Sequence, residues 1–218
     1  MKTFNSTRGA LISLGVTAVL LAGCAPGSLL VDISKAAWSG TTSGSAQDAS
    51  TTPLNPLYRY LRVELAGNAP ALMVLGYLDP HPLGDIEVWY GSGGETLKLQ
   101  NGRVVGSAGL SVTWLRVTYP QVPPAWASVP VEGVKFSRVR DELPGYRASV
   151  PDQVLLKHLA QSPVAVPVGA NVWFSESYVN AHGDTLPVAL FGVNQCQAKS
   201  AVVYSRQCLS TALCLTIQ

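Results

Sequence analysis

Apolar and polar side chains alternate along most of the chain beyond residue 56, with the period of two that is typical of β-strands. Val63 and Leu65, for example, point to one side of an extended chain, and Glu64 points to the other. Residues 70–79 are more continuously apolar, as in a strand that is buried on both faces. The pattern predicts strands at residues 58–65, 70–79, 85–91, 96–100, 103–107, 111–119, 132–140, 145–149, 171–179, 185–193 and 200–207.

Three segments depart from simple alternation. Residues 151–163 place apolar side chains three to four positions apart and end in a proline, which predicts one short helix. Asn101-Gly102 separates two alternating segments and predicts a tight hairpin, because a type I′ turn needs positive φ at both central residues. The proline-rich residues 119–133 predict a loop or an edge crossing. The expected fold is mostly β, an antiparallel sandwich or partly closed barrel with one short helix.

The N-terminus has the composition of a bacterial lipoprotein leader. Lys2 and Arg8 precede an apolar run that is too short to span a membrane comfortably. That run ends in Leu-Ala-Gly-Cys at residues 21–24, which resembles the lipobox, where the cysteine thiol takes up a diacylglyceryl group as a thioether. We therefore predict a signal peptide at residues 1–23 and lipidation of Cys24. The alternative is an ordinary secretory signal with a chance cysteine.

The rest of the chain divides into a tether and one domain. Residues 24–56 begin with the lipidated cysteine and are rich in small and polar residues, which predicts a flexible tether with a reach of roughly 30 Å. Residues 33–38 have a second interpretation, a short element that packs on the domain. Residues 57–218 form a single β-rich domain. Ala25, where an aspartate would favour the inner membrane, favours anchoring in the outer membrane.

The charge balance of the mature chain argues against nucleic acid as a partner. The whole sequence has a formal net charge of +2, but Lys2 and Arg8 lie in the leader. Of the 15 basic residues, 13 remain after those two are removed, which equals the 13 acidic residues. A neutral domain lacks the basic surface that binds phosphates. The 47% of hydrophobic residues is enough to form a core and excludes wholesale disorder.

Three cysteines remain in the predicted domain, at Cys196, Cys208 and Cys214. An oxidising compartment favours one disulfide and leaves one thiol over. We expect Cys196 to pair with Cys208, because that bond closes a short hairpin-like loop. The alternatives are buried free thiols or a zinc site. Zinc needs further ligands, and the nearest histidine in sequence is His182. We predict no metal and no cofactor.

The glycine-rich residues 89–110 fail the tests for a catalytic or phosphate-binding loop. They contain no Walker sequence, no complete dinucleotide fingerprint and no nucleophile elbow. His81 and His182 are expected in turns, and His158 is expected on the apolar face of the predicted helix. Glycosidase chemistry needs two carboxylates that face one sugar, and no spacing singles out such a pair. These observations predict a protein that is not an enzyme.

Trp89 is the aromatic residue that we expect to be exposed, because it shares the polar side of its predicted strand with Glu87. An exposed indole can stack on a sugar ring or contact a protein partner. Tryptophans on strands are more often core residues, which is the alternative interpretation.

The strands and the glycine-rich segment together resemble the YjbF/GfcB family of lipoproteins. The likeness extends from about residue 57 to the end of the chain. The chain departs from the family at Ser107-Ala108, where threonine is common before the Gly-Leu pair, at the sequence "FGVN" in 191–194, and in its three late cysteines. The matching positions are Trp89, Gly102, Arg103, Val104, Val105, Gly109, Leu110, Val202, Ser205 and Gln207.

The resemblance implies an outer-membrane lipoprotein that faces the periplasm and is encoded with machinery for exopolysaccharide or capsule production. The expected role is non-enzymatic assistance in the assembly or export of a surface polysaccharide. Its expected partners are the membrane, through acyl chains on Cys24, and the export proteins or the polysaccharide itself, with Trp89 and Arg103 as candidate contacts. The alternatives are a periplasmic glycan-active enzyme that uses a carboxylate pair and a generic structural lipoprotein of the cell envelope.

Overall fold

The computed structural model describes residues 54–165, 169–180, 183–196 and 199–218. The predicted signal peptide, Cys24, nearly all of the tether and His182 lie outside the described residues. No helix in the described ranges is long and apolar enough to cross a membrane.

The described residues form an antiparallel sheet of twelve strands that curls into a nearly closed barrel. Around the sheet the order is β5-β4-β3-β2-β1-β12-β11-β10-β9-β8-β7-β6, so the edge strands β5 and β6 are consecutive in the chain. A hydrogen bond of 3.0 Å from the Trp114 amide to Ser107 Oγ links these two edges. The strands are β1 (Tyr60–Leu65), β2 (Ala71–Asp79), β3 (Ile86–Tyr90), β4 (Thr96–Gln100), β5 (Arg103–Ala108), β6 (Thr113–Thr118), β7 (Val134–Leu143), β8 (Arg147–Leu159), β9 (Val172–Asn180), β10 (Thr185–Cys196), β11 (Lys199–Cys208) and β12 (Cys214–Ile217).

The mostly β prediction is confirmed, and a nearly closed barrel is the form that the sheet takes. The proline-rich residues 119–133 form a loop, as expected, with a single 3₁₀ turn at Trp126–Ser128. Strand β2 is less buried than its apolar composition predicts, because Tyr77 and Leu78 in its second half are exposed. A register shift between Leu75 and Tyr77 in the ladder with β3 marks the change.

The prediction of a helix at residues 151–163 is wrong, because residues 151–159 belong to β8 and the last four residues follow it without helical structure. Burial along β8 alternates, so that Val150, Asp152, Val154 and Leu156 are buried and their neighbours are more exposed. The strand pairs with β7 on one side and β9 on the other, and both ladders satisfy its backbone. Apolar neighbours outside the alternation, such as Leu155, imitate helical spacing, but pairing on both sides overrides that local signal.

The disulfide also differs from the prediction. Cys208 bonds to Cys214, and Cys196 is free and exposed. Cys208 and Cys214 stand directly opposite each other in the β11–β12 ladder. Cys196 instead faces the first residue of β11, so the length of a ten-residue strand separates it from Cys208. At about 3.3 Å per residue that separation is roughly 30 Å, far beyond the reach of a disulfide.

The interior contains two apolar clusters. The first lies around Trp89, Trp114 and Leu215, and the second lies around Trp126, Phe174 and Phe191. Tyr119 and Leu186 pack against both clusters and join them. Burial of large side chains of this kind stabilises a fold by about 1.5–3 kcal/mol each.

The hairpin predicted at Asn101-Gly102 is confirmed. The φ angles are 50° at Asn101 and 78° at Gly102, so both central residues have the positive φ of a type I′ turn. The turn also packs tightly on β11, because a Cβ atom on Gly102 would lie 2.5 Å from Cβ of Val202. Glycine is therefore required at residue 102 both for its conformation and for space.

Gly102→Ala should destabilise the domain more than Gly94→Ala. Both glycines have positive φ, and an alanine there costs about 1 kcal/mol in backbone strain. A Cβ on Gly94 meets nothing within 4 Å, whereas one on Gly102 meets Val202, which adds about 1–3 kcal/mol of overpacking. Urea unfolding of the two variants measures the difference. Equal losses would show that the turn does not press on β11.

Candidate functional site

A groove of about 610 Å³ opens at one end of the barrel. The antiparallel order brings the starts of β1, β3 and β11 and the ends of β2, β4 and β12 to this end, together with the β4–β5 turn. Its volume is within the range of small-molecule sites, roughly 300–1,000 Å³. The lining residues used below are Arg59, Tyr60, Asp85, Glu87, Trp89, Asn101, Gly102, Trp126 and Tyr204.

The charged side chains of the groove lie on its β1–β3 side. Nη2 of Arg59 donates a hydrogen bond of 2.6 Å to Oε1 of Glu87. Asp85 is exposed, and none of the described residues forms an ion pair or hydrogen bond with its carboxylate. The groove therefore presents one paired carboxylate and one that is open to solvent.

Trp89 lines the groove, but its exposure was predicted wrongly. Only 2% of the residue is exposed, and its strand neighbours across β3 are Leu75 and Leu97. The side of β3 that carries Glu87 and Trp89 faces the barrel interior. Glu87 is polar because it lies at the mouth of the barrel, and not because this side is an outer surface. The Arg59 guanidinium lies 5.6 Å from the centre of the indole ring and covers it. The indole Nε1–H of Trp89 is buried and has no hydrogen-bond partner among the described residues.

Arg103 lies behind the groove wall and does not reach the surface. It is 5% exposed, and its Nε donates a hydrogen bond of 2.8 Å to Oε1 of Glu176. Its guanidinium is stacked 3.9 Å from the ring centre of Trp126, which itself lines the groove. The structure thus makes Arg103 a residue that positions Trp126. The indole of Trp126 donates a hydrogen bond of 3.1 Å to the carbonyl of Asn101 and so joins the proline-rich loop to the β4–β5 turn.

Sequence reasoning did not single out three residues of the groove. Trp126 lies in a loop with no periodic signal, so its place against Arg103 is visible only in three dimensions. Arg59 precedes β1 and meets Glu87 only because β1, β2 and β3 are adjacent strands. Asp85 precedes β3 at the same end of the barrel. In the sequence it is one of 13 acidic residues, and no local pattern distinguishes it from the others.

A chain of buried charges continues from Arg103 through the barrel interior. Glu176 accepts the bond from Arg103 and a second bond of 2.6 Å from the Tyr178 hydroxyl. The Arg138 guanidinium stacks 4.0 Å from the ring centre of Tyr178. Arg138 donates in turn to Asp152 at 2.8 Å. Four strands, β5, β7, β8 and β9, therefore meet through charged side chains in the interior.

The chain of charges ends at the opposite mouth of the barrel. Arg140 bonds both to Asp152, at 2.8 Å, and to Glu142. Glu142 is also paired with the half-exposed Arg147 at 3.1 Å. These arginines line a second cavity of about 390 Å³ together with Asp184. Its charged side chains already have partners, so the first groove is the better candidate site.

Burial and neighbouring charges together set the pKa values of the buried tyrosines and of Arg138. Burial raises the pKa of Tyr178 well above its usual 10.0, and the neighbouring Glu176 carboxylate raises it further. Burial likewise raises the pKa of Tyr119, although the charges of Arg103 and Arg138 oppose it. Burial acts to lower the pKa of Arg138, but Tyr178 and Asp152 outweigh it and the pKa is raised. The arginine stays charged and the phenols stay neutral near neutral pH.

The histidines and cysteines of the described residues form no metal site. His81 is exposed in its loop, and its Nδ1 lies 2.9 Å from Nε2 of Gln100. His158 packs 4.5 Å from the ring centre of Phe174, with Nε2 at 2.9 Å from the carbonyl of Val129. Among the described residues, no group of three or more His, Cys, Asp and Glu side chains is placed to hold a metal ion.

Comparison with known proteins supports the fold. No protein-family model and no curated protein matches the chain. The structure is similar to the crystal structure of the hypothetical lipoprotein YmcC from Escherichia coli (K12), with a TM-score of 0.62 and 16% sequence identity. The match covers 78% of this chain and 89% of that chain. At this identity the likeness shows a shared fold alone, and membership of the YjbF/GfcB family stays a prediction.

Arg103→Met should destabilise the domain by about 3–5 kcal/mol, because it leaves the Glu176 carboxylate buried without its cation. Glu176→Gln should be harmful for the converse reason. The double variant should recover part of the loss, since neither charge is then buried alone. Urea unfolding of the three variants gives the coupling free energy. Additive losses would show that the pair is not a unit.

Tyr178→Phe should cost about 1.5–3 kcal/mol at pH 7, because it removes a hydrogen bond to a buried carboxylate. The raised pKa of Tyr178 in the folded state stabilises the fold fully below pH 10. That contribution is lost as the pH rises from 10 towards the folded-state pKa, so the gap between wild type and variant should narrow.

The measurement is urea unfolding at a series of pH values from 7 upward. Tyr146→Phe is the matched control, because Tyr146 is 89% exposed and should change stability little at any pH. A gap between wild type and Tyr178→Phe that stays constant above pH 10 would contradict the prediction.

Proposed function

We propose that this protein is a lipid-anchored accessory protein of the outer membrane that assists the assembly or export of a surface polysaccharide. The observation that carries the proposal is the lipobox at residues 21–24, followed by a domain whose fold is similar to that of a hypothetical lipoprotein. The resemblance to YjbF/GfcB lipoproteins supplies the link to polysaccharide. The domain itself contributes a formed groove at one mouth of the barrel.

The anchor defines where the groove works. Several acyl chains on Cys24 hold a protein stably on a membrane, whereas a single chain of ~0.8 kcal/mol per CH₂ is marginal. Residues 25–53 lie between Cys24 and the described chain. The tether that the sequence predicts for this segment, with a reach of roughly 30 Å, would let the groove meet export proteins or the polymer at the periplasmic face.

Cys24→Ser should abolish incorporation of labelled palmitate and move the protein out of the membrane fraction. Cys196→Ser is the matched control, because Cys196 is a free and exposed thiol that should carry no lipid. Retention of the label in Cys24→Ser would contradict the proposed anchor.

Deletion of the gene should reduce surface polysaccharide under conditions that induce its production, as measured by polysaccharide staining and gel analysis. Wild-type protein should restore the polymer, and Cys24→Ser should restore it poorly because the domain is no longer held at the membrane. An unchanged amount and length of polymer in the deletion strain would overturn the proposed role.

A second candidate function is a glycan-active enzyme, because two carboxylates, Asp85 and Glu87, line the same groove. Against this role, Oε1 of Glu87 already accepts a hydrogen bond from Arg59, so that oxygen is not free to contact a substrate. Incubation of the protein with polysaccharide and measurement of new reducing ends tests this alternative. Release that is lost in both Asp85→Asn and Glu87→Gln would favour the enzyme.

A further inference from the structure

The Trp89 indole is a buried donor without an acceptor. Its residue is 2% exposed and its Nε1–H is unpartnered among the described residues. The two other indoles of the neighbouring core are paired, Trp114 with the carbonyl of Leu209 at 3.2 Å and Trp126 with that of Asn101 at 3.1 Å. Buried donors are normally satisfied, so an orphaned one in a groove wall points to an acceptor that arrives with a ligand.

Two carboxylates in the groove supply acceptors, Asp85 and Glu87. The Asp85 carboxylate has no partner among the described residues, and Glu87 uses Oε1 alone for Arg59. A carboxylate accepts hydrogen bonds at both oxygens and donates none when it is ionised. The groove therefore suits a ligand that carries both hydroxyl donors and oxygen acceptors.

The charge of the lining selects against anions. Asp85 and Glu87 contribute two negative side chains to the groove, and Arg59 contributes the one positive side chain of its described lining. That single cation is already paired with Glu87. An acidic ligand would have to approach an unpaired carboxylate, which is unfavourable.

Four aromatic residues are part of the groove lining. Tyr60, Trp126 and Tyr204 line it with Trp89. Such side chains present a flat apolar face together with a polar atom. A pyranose ring has the matching character, because one face carries C–H groups and its edge carries hydroxyls.

We propose that the groove binds a neutral glycan segment, in which a sugar oxygen accepts the Trp89 indole N–H and sugar hydroxyls donate to Asp85 and Glu87. This inference rests on the proposed function and names the ligand class of its groove. It requires the Arg59 side chain to move off the indole. That side chain is 58% exposed, and surface ion pairs of this kind are weak, so a ligand can displace it.

The test uses the full lipidated chain in detergent micelles. Fragments of the surface polysaccharide of the producing cells are separated by anion exchange into a neutral and an acidic pool. Cellohexaose and hexamannuronate serve as a defined neutral and a defined acidic probe. Binding is followed through the indole N–H signals in a ¹⁵N spectrum, where Trp89→Phe assigns the Trp89 signal.

The neutral pool should shift the Trp89 indole signal and bind at least tenfold more tightly than the acidic pool. Trp89→Phe should weaken neutral binding about fivefold, the usual value of one hydrogen bond. Asp85→Asn should raise the affinity for the acidic pool, because it removes the unpaired negative charge. Tyr146→Ala is the control, because this exposed residue lies in the β7–β8 turn near the opposite mouth and should leave binding unchanged.

Three results would overturn the inference: binding by none of the four samples, acidic binding as tight as neutral binding, or neutral binding that leaves the Trp89 indole signal in place. Each is distinguishable from failure of the proposed function. If the deletion strain still loses its polymer while no glycan binds, the protein acts through a protein partner and the glycan groove is wrong.

Discussion

The line of paired charges inside the barrel is the constraint on which the arrangement of the strands depends. A charge removed from water is costly unless a partner meets it with good geometry. Arg138 and Arg140 on β7 both donate to a single oxygen of Asp152 on β8, and Arg103 on β5 donates to Glu176 on β9. A shift of β8 by one residue would turn Asp152 to the outer face and leave both arginines without this carboxylate. The polar pairs thus specify the strand register together with the apolar side chains that are buried on the same face.

The aromatic rings complete this network. One nitrogen of Arg103 and one of Arg138 have no hydrogen-bond partner among the described residues. Each guanidinium instead lies over an aromatic face, Arg103 over Trp126 and Arg138 over Tyr178. A ring face attracts a cation most strongly where water is excluded, so the rings substitute for missing acceptors. The same stacking couples the interior to the groove, because Trp126 belongs to both.

Features that depend on adjacent residues were predictable from the sequence, and features that depend on how strands pair were not. The hairpin at Asn101-Gly102 was predictable because the positive φ that it needs is a property of two adjacent residues. The segment at residues 151–163 was not, because its apolar spacing resembles a helix, and only its pairing with β7 and β9, the strands before and after it in the chain, makes it a strand. The disulfide failed for a similar reason. Cys196 and Cys208 are close in the sequence, but Cys196 lies beside the start of β11 and Cys208 lies at its end, so the extended strand separates them.

The sequence by itself determined the β-rich character of the domain, its main turns and the lipobox pattern, because each depends on neighbouring residues. The tertiary structure alone decided which charged residues are inside and what lines the groove. Trp89 and Arg103 were both candidate contacts in the sequence, yet closure of the sheet turns both inward. One then becomes a groove wall with an unpaired donor and the other becomes the support of Trp126. Which face of a strand meets water depends on how the whole sheet curls, and that curvature is not a property of any single strand.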